Sequence, residues 1–184
     1  AYALHLIGTD RDVAFQGFAD SLSSNHWAGT GQLFGELAYK AELGEIGVQP
    51  FANIAYVNHI NGAYSETGGA AALTAAASTT ENSFATLGVR GDMDLAVGET
   101  PARLSGTLGW RHAFGDATPG QALAFAGGDG FAVDGVPIAR DALAFGATLD
   151  VQISETASLG ILYTGQIGSG VSDHAIKANL GVKF

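Results

Sequence analysis

The feature that most constrains the fold of this chain is an alternation of apolar and polar side chains with a period of two residues. It is clearest over residues 103–114, where Leu104, Leu108 and Trp110 share one face and Arg111 lies on the other. Successive side chains of a β-strand point to opposite faces, whereas a helix would scatter the same apolar groups around its axis. The pattern therefore predicts a strand with two chemically different faces.

The same alternation recurs along the whole chain. Glycine lies inside nearly every segment, and each internal glycine costs a helix about 1 kcal/mol relative to alanine. We therefore expect an all-β chain with eight antiparallel strands, organised as a single domain over residues 1–184. The predicted strands lie at residues 2–6, 32–40, 48–57, 85–95, 103–114, 143–153, 159–167 and 174–184.

Composition narrows the class of protein. Only 14% of the residues are charged, and the chain has 27 Gly and no Cys. No run approaches the roughly 18 unbroken apolar residues that a membrane-spanning helix needs. A net charge of −10 argues against nucleic-acid binding, which requires a basic surface. Two classes remain: a soluble all-β protein, or a membrane barrel whose strands are apolar at every second position.

The distribution of charged and aromatic residues favours the membrane barrel. A lipid-facing Arg or Lys near the bilayer midplane costs about 2–4 kcal/mol, so charged residues are expected to face an enclosed lumen. The predicted lumen-facing polar residues are Glu36, Arg90, Asp92, Arg103, Arg111 and Lys177. Tyrosine and tryptophan prefer the membrane interface. The predicted interface aromatics near strand ends are Tyr39, Trp110, Phe114 and Tyr163.

The lengths of the connections between strands give the strongest argument for a membrane barrel. Bacterial outer-membrane barrels have short periplasmic turns and longer extracellular loops, whereas soluble up-and-down barrels have no such requirement. The final connection, at 168–173, is brief although it falls on the long side. The others alternate between short, at 43–45, 98–101 and 154–156, and long, at 9–30, 61–81 and 115–140. We expect the long ones to be irregular external loops.

Several motifs resemble the C-terminal β-barrel translocator domain of autotransporters, the proteins of type V secretion. The most specific is WRHAFGD at 110–116, followed by GVPIARDA at 135–142. Further matches lie at 34–37, 50–52, 86–90, 125–128, 131–133 and 162–166. The resemblance implies a twelve-stranded barrel in the outer membrane of a Gram-negative bacterium, of which this chain would supply the last eight strands.

The resemblance also implies a function and partners. The domain would anchor the protein in outer-membrane lipid and assist the export of an N-terminal passenger. The barrel-assembly machinery would recognise the last strand, with Leu180, Val182 and Phe184 as its assembly signal. An eight-stranded barrel that closes on itself is filled by its own side chains. Such a closed form would be a structural barrel without transport activity, and this remains the alternative, together with a soluble barrel that binds a small ligand.

The residues do not predict catalysis, a metal or a cofactor. The chain has no G-x-S-x-G elbow, and its histidines lack ligand spacing. His112 is expected to be a hydrogen-bonded histidine at a strand end. Gly127–Gly130 only superficially resembles a calcium loop. The sequence therefore predicts a non-enzymatic membrane domain.

Overall fold

The computed structural model describes residues 1–115 and 117–183, which are built from β-strands. No helix in this part of the chain is long and apolar enough to cross a membrane. The strands are β1 (Tyr2–Phe15), β2 (Phe18–Ala38), β3 (Ala41–Leu43), β4 (Ile46–Asn61), β5 (Tyr64–Ser65), β6 (Leu73–Ala75), β7 (Ser78–Val97), β8 (Thr100–Gly115), β9 (Gly120–Phe125), β10 (Gly130–Asp134), β11 (Asp141–Gln152), β12 (Ala157–Gly168) and β13 (Val171–Val182).

The long strands follow one another in a single sheet. Its order is β1-β2-β4-β7-β8-β11-β12-β13, with the short β3 paired to β4. The pairs β1–β2, β8–β11, β11–β12 and β12–β13 are antiparallel with a continuous register; in β11 and β12, for example, Ala142 lies opposite Gly168 and Gln152 opposite Ser158. Each long strand therefore pairs with its neighbour along the chain, which confirms the predicted all-β, antiparallel, up-and-down arrangement.

The three short connections are tight turns where the sequence placed them. Two-residue turns join β3 to β4 and β7 to β8, and residues 153–156, which include the predicted 154–156, join β11 to β12. Gly44 and Gly98 begin the two-residue turns with φ values of +68° and +67°. Only glycine adopts this left-handed region at no steric cost, which explains why these turns can be so short.

The three long connections differ from the prediction of irregular loops. The connection at 9–30 is a continuation of β1 and β2 as a hairpin. It ends in a two-residue turn, with Phe15 paired to Phe18. The connections at 61–81 and 115–140 contribute β5, β6, β9 and β10 to a second, four-stranded sheet of order β10-β9-β6-β5. The prediction failed because this sheet brings together short segments that are far apart in the chain, which local periodicity does not reveal.

The chain divides into two compact units. The loop unit comprises residues 1–33, 55–83, 115 and 117–138, and the strand unit comprises residues 34–54, 84–114 and 139–183. In the loop unit the buried apolar residues are Leu22, Ala28 and Ala75, and in the strand unit they are Ala102, Ala113, Ala139 and Ala142. No large side chain in the described part of the chain is completely buried. The large apolar side chains therefore do not form a conventional core.

Candidate functional site

The apolar row of the strand unit lies on an uncovered face. In β8, Leu104 is 40% exposed, Leu108 51% and Trp110 47%. The register places Leu104 beside Leu149, and Leu108 beside Phe145, so the row continues on β11. A water-soluble domain of this size would bury such side chains against a second layer, because burial of apolar surface is the main force that stabilises folding. This face is built for an apolar solvent.

The opposite face carries an ion pair stacked on an aromatic ring. Arg90 of β7 donates two parallel hydrogen bonds to Glu36 of β2, both 2.7 Å long. The guanidinium carbon of Arg90 lies 4.0 Å from the centroid of the Phe51 ring. A Cβ atom at Gly88 would lie 2.7 Å from that ring, so Phe51 fills the space that glycine leaves. These four residues fix the alignment of three strands on the polar face.

Two further predicted polar residues, Asp92 and Arg103, are also paired on this face. Arg103 of β8 donates a hydrogen bond to Asp92 and a longer one, of 3.5 Å, to Asp94. Both acids belong to β7, the preceding strand, so these contacts link the two arms of one hairpin. These pairs are exposed, and exposed ion pairs contribute little to stability. Their arrangement is that expected of a wet surface.

Arg111 and Lys177 differ from the paired residues. The guanidinium carbon of Arg111 lies 5.2 Å from the centroid of the Phe84 ring. The Nε atom of Arg111 is buried and has no hydrogen-bond partner within residues 1–115 and 117–183. Lys177 is exposed on β13 opposite Leu162, and in the same part of the chain it makes no ion pair. The structure therefore brings four of the six predicted polar residues into ion pairs.

A groove of about 480 Å³ runs along the polar face of the strand unit. Small side chains and hydroxyl groups line it, and the register places Thr107 opposite Gly146, and Gly146 opposite Thr164. Further lining residues include Arg90, Ser105, Thr148, Gln166 and Asp173. The groove is open, and although Phe145 and Leu162 also line it, most of its lining is small or polar, which suits water or a polar polypeptide segment.

The aromatic residues of the apolar face form two hydrogen-bonded clusters. In the first, the Trp110 indole N–H donates to Asp141 Oδ1 at 3.0 Å, and His112 Nδ1 lies 2.8 Å from the same oxygen. The rings of His112 and Phe114 pack edge to face with their centroids 4.6 Å apart. The Trp110 indole N–H and His112 Nδ1 thus share one carboxylate oxygen, while Trp110 and Phe114 stay exposed. This combination is typical of side chains at a water–lipid boundary.

The second cluster lies on the last two strands. The hydroxyl of Tyr163 and His174 Nδ1 are 2.9 Å apart, as are the hydroxyl of Ser172 and His174 Nε2. The rings of Phe145 and His174 lie against Gly165, where any side chain would overlap them. Tyr39 is separate from both clusters; it is exposed just after β2, and its backbone N–H donates to Pro50 O at 3.1 Å.

The predicted assembly signal falls on the last strand. Leu180 and Val182 are exposed, at 67% and 56%, and pair with Leu159 and Ala157. Phe184, the third predicted residue, lies outside the residues that the structure describes. In the described part of the sheet, β13 pairs with β12 on one side and ends the strand order on the other.

Sequence reasoning missed Phe51, Phe84 and Gly88 as parts of the polar face, and Asp141 as the partner of Trp110. The sequence did contain a signal for Phe51 and Phe84, because each is an aromatic residue at a position that the alternation assigns to the polar face. Gly88 could have been inferred from Phe51, since a large aromatic ring on one strand needs a small residue on the neighbouring strand. The role of Asp141 depends on pairing between β8 and β11, which are separated by a long connection.

Strands with one exposed apolar face and one hydrated face define a β-sheet of the kind that forms outer-membrane barrels. The family model described as autotransporter β-domain matches residues 1–164. Two relatives from Serratia marcescens, both named extracellular serine protease, are each 35% identical over 184 residues, which is the whole of this chain. The chain spans 18% of the length of either relative.

The chain therefore belongs to the autotransporter β-domain family. Domains of this family are β-barrels of the Gram-negative outer membrane, and the chain is accordingly an outer-membrane translocator domain. The resemblance and the fold class predicted from the sequence are confirmed. The protease named in the relatives is a property of those longer proteins, of which the matching segment is a small part.

Proposed function

We propose that this domain anchors a longer parent protein in outer-membrane lipid and assists the export of an N-terminal passenger to the cell surface. One observation carries the proposal: the strand unit exposes its apolar row, while its opposite face presents ion pairs and a polar groove. Lipid covers the first face, and a hydrated lumen lies behind the second. The lumen-facing residues are then Glu36, Arg90, Asp92, Arg103, Arg111 and Lys177.

The aromatic clusters fit the same orientation. Trp110 and Phe114 lie towards the end of β8 that leads into a long connection, and β13 brings His174 close to Tyr163. We assign Tyr39, Trp110, Phe114 and Tyr163 to the boundaries of the lipid layer, where a ring contacts hydrocarbon and its polar edge contacts water. The short turns then face the periplasm and the long connections face outside.

The last strand supports a role for the barrel-assembly machinery as a partner. Such a partner recognises a strand by pairing with its unoccupied backbone groups, and β13 offers exposed apolar side chains at Leu180 and Val182. We assign no catalysis to this domain. A passenger of the extracellular protease kind is the cargo that the relatives' names suggest, and its catalytic groups would belong to the passenger.

The experiment that tests export fills the proposed lumen without touching the lipid face. Gly146 lines the polar groove, and a Cβ there meets its nearest atoms at an ordinary 3.5 Å, so a larger side chain can project into the groove. In the full-length parent, we expect Gly146→Trp to lower the amount of passenger exposed on intact cells. The amount of folded, heat-modifiable domain in the membrane should stay at the wild-type level.

The matched control is the neighbouring Ala147, which is exposed on the apolar face. Ala147→Trp should leave the passenger at wild-type levels, because the indole enters lipid instead of the groove. Equal passenger display by both variants and the wild type, with the folded domain unchanged, would rule out the groove as the export path. It would favour the structural barrel without transport activity.

A further inference from the structure

The four-stranded sheet of the loop unit is attached to the β1–β2 hairpin through a small group of polar contacts. The backbone groups of Ser23 and Thr67 exchange two hydrogen bonds, each 2.9 Å long. This pair is an isolated bridge, not a continuing ladder. The residues that flank Ser23 are Leu22 and Ser24, and both are buried. Within residues 1–115 and 117–183, Leu22 is the only large apolar side chain among the buried residues, so few large apolar groups are buried at the attachment.

A partly buried ion pair reinforces this bridge. Arg11 of β1 donates to Glu66 through Nε at 3.1 Å and Nη2 at 2.5 Å, and Nη2 also donates to Ala71 O at 2.9 Å. The Glu66 side chain is only 6% exposed, and its carboxylate also accepts the N–H of Leu73 at 2.9 Å. One guanidinium thus holds both ends of the segment between β5 and β6.

A second carboxylate completes the attachment from β2. Asp20 accepts the N–H of Ala71 at 2.8 Å. Gly69 lies directly against this carboxylate, and any side chain at that position would overlap it. Charged groups from β1 and β2 therefore contact one six-residue stretch, Glu66 to Ala71, whose last four residues are glycine or alanine.

We propose that Arg11, Asp20, Ser23, Glu66, Thr67 and Ala71 form an acid-released latch that reversibly fastens the four-stranded sheet to the β1–β2 hairpin. The latch is a conformational device of the loop unit and does not depend on the export function proposed above. Protonation of the Glu66 carboxylate removes the charge attraction behind its two hydrogen bonds from Arg11, which weakens the attachment. Release uncovers the β2 face that contains Leu22 and Ser24.

The ionisation of Glu66 sets the direction of the pH effect. The hydrogen bond from the Arg11 guanidinium, followed by that from Leu73, holds the pKa of the Glu66 carboxyl below its ordinary value. A lowered pKa stabilises the latched form at any pH above the ordinary value of about 4.3, and this stabilisation is lost as the pH falls through the lowered value. The titratable groups facing Glu66 are Arg11 on β1, Asp20 on β2 through Ala71, and Tyr64 on β5, whose ring stacks on His26 at 4.5 Å.

The test measures a distance across the latch in the complete domain in lipid. The chain has no cysteine, so nitroxide labels can be placed through Asn25→Cys on β2 and Ala70→Cys in the latch segment, both exposed positions. We expect one short distance at about pH 7.5 and a second, longer distance at about pH 3.5, reversible on return to neutral pH. Arg11→Leu should show the longer distance already at neutral pH. Glu66→Gln should give the same distribution at both pH values.

The control variant breaks a comparable contact elsewhere. Arg90→Leu removes the other bidentate Arg–Glu pair, in the strand unit, and should behave as the wild type does. The latch is refuted if the wild-type distance stays short at about pH 3.5, or if Glu66→Gln keeps the wild-type pH response. Release by Arg90→Leu to the extent seen with Arg11→Leu would also refute it, because the opening would then reflect general destabilisation.

Discussion

The loop unit and the strand unit reach stability by different routes. The strand unit consists of long neighbouring strands, whose pairing follows chain order and whose buried apolar residues are alanines. The loop unit draws on connections that are far apart in sequence, and polar side chains such as Arg11 and Glu66 hold them together. The stability of the strand unit therefore depends on the solvent that covers its apolar face, whereas the stability of the loop unit depends on specific contacts between its own side chains.

The difference shows what each kind of contact can tolerate. A face that contacts lipid accepts many apolar side chains but rejects charge, because hydrocarbon offers no partner. A network of specific hydrogen bonds fails when one partner is removed, even if the replacement is apolar. Substitutions in the two units should therefore differ in how much they lower stability and in which chemical changes are tolerated.

The largest effect is expected from a charge on the apolar row of the strand unit. Leu108 lies near the middle of β8 and is 51% exposed. In lipid, Leu108→Arg should lower the free energy of unfolding by about 2–4 kcal/mol, measured by denaturant titration of the domain in vesicles. On a water-covered surface the same change would usually stay within about 0.5 kcal/mol.

The neighbouring Thr107 provides the matched control. It lines the polar groove, so Thr107→Arg places the same charge on the hydrated face. Its cost should be clearly smaller than that of Leu108→Arg. Equal costs for the two variants would mean that the faces do not differ in solvent, and the orientation of the domain would have to be abandoned.

A smaller effect is expected where two strands approach closely on the polar face. A Cβ at Gly88 would lie 2.6 Å from Leu108 O and 2.7 Å from the Phe51 ring. Because the backbone oxygen cannot move without disturbing the ladder, Gly88→Ala should cost about 1–3 kcal/mol in the same titration. Gly106 is the control, since the nearest atom to its Cβ is 3.9 Å away. If Gly106→Ala is as costly as Gly88→Ala, close packing is not the cause.

The smallest effect is expected at the tip of the loop unit. The rings of Phe15 and Phe18 stack with centroids 4.8 Å apart on either side of the turn. Phe18→Ala should lower the local opening free energy by about 0.5–1 kcal/mol, read from hydrogen exchange of the Val13 amide. Exchange in β8 should not change. A matching change in β8 would show that opening is not confined to the loop unit.

The sequence predicted the strand unit well because its information is local. The alternation of Leu104, Leu108 and Trp110 with Arg103 and Arg111 specifies a strand and its two faces without knowledge of any partner. The short turns could be predicted equally well, because glycine, here Gly44 and Gly98, is typical of tight turns.

The loop unit could not be predicted in the same way. β5 has two residues and β6 three, too few for a periodic pattern, and they pair with each other and with β9. The partnership between Arg11 and Glu66 spans 55 residues of chain and has no local signature. The contact between Trp110 and Asp141 was missed for the same reason, since it follows from the pairing of β8 with β11.

The length of β2 has a mechanical consequence. A tilted strand crosses a bilayer with about 9–11 residues, and β2 has 21. Inter-strand hydrogen bonds lie perpendicular to the strands, so a pull along β2 loads many of them at once instead of breaking them one after another. Tension applied to the turn at residues 16–17 is thus distributed along one continuous strand.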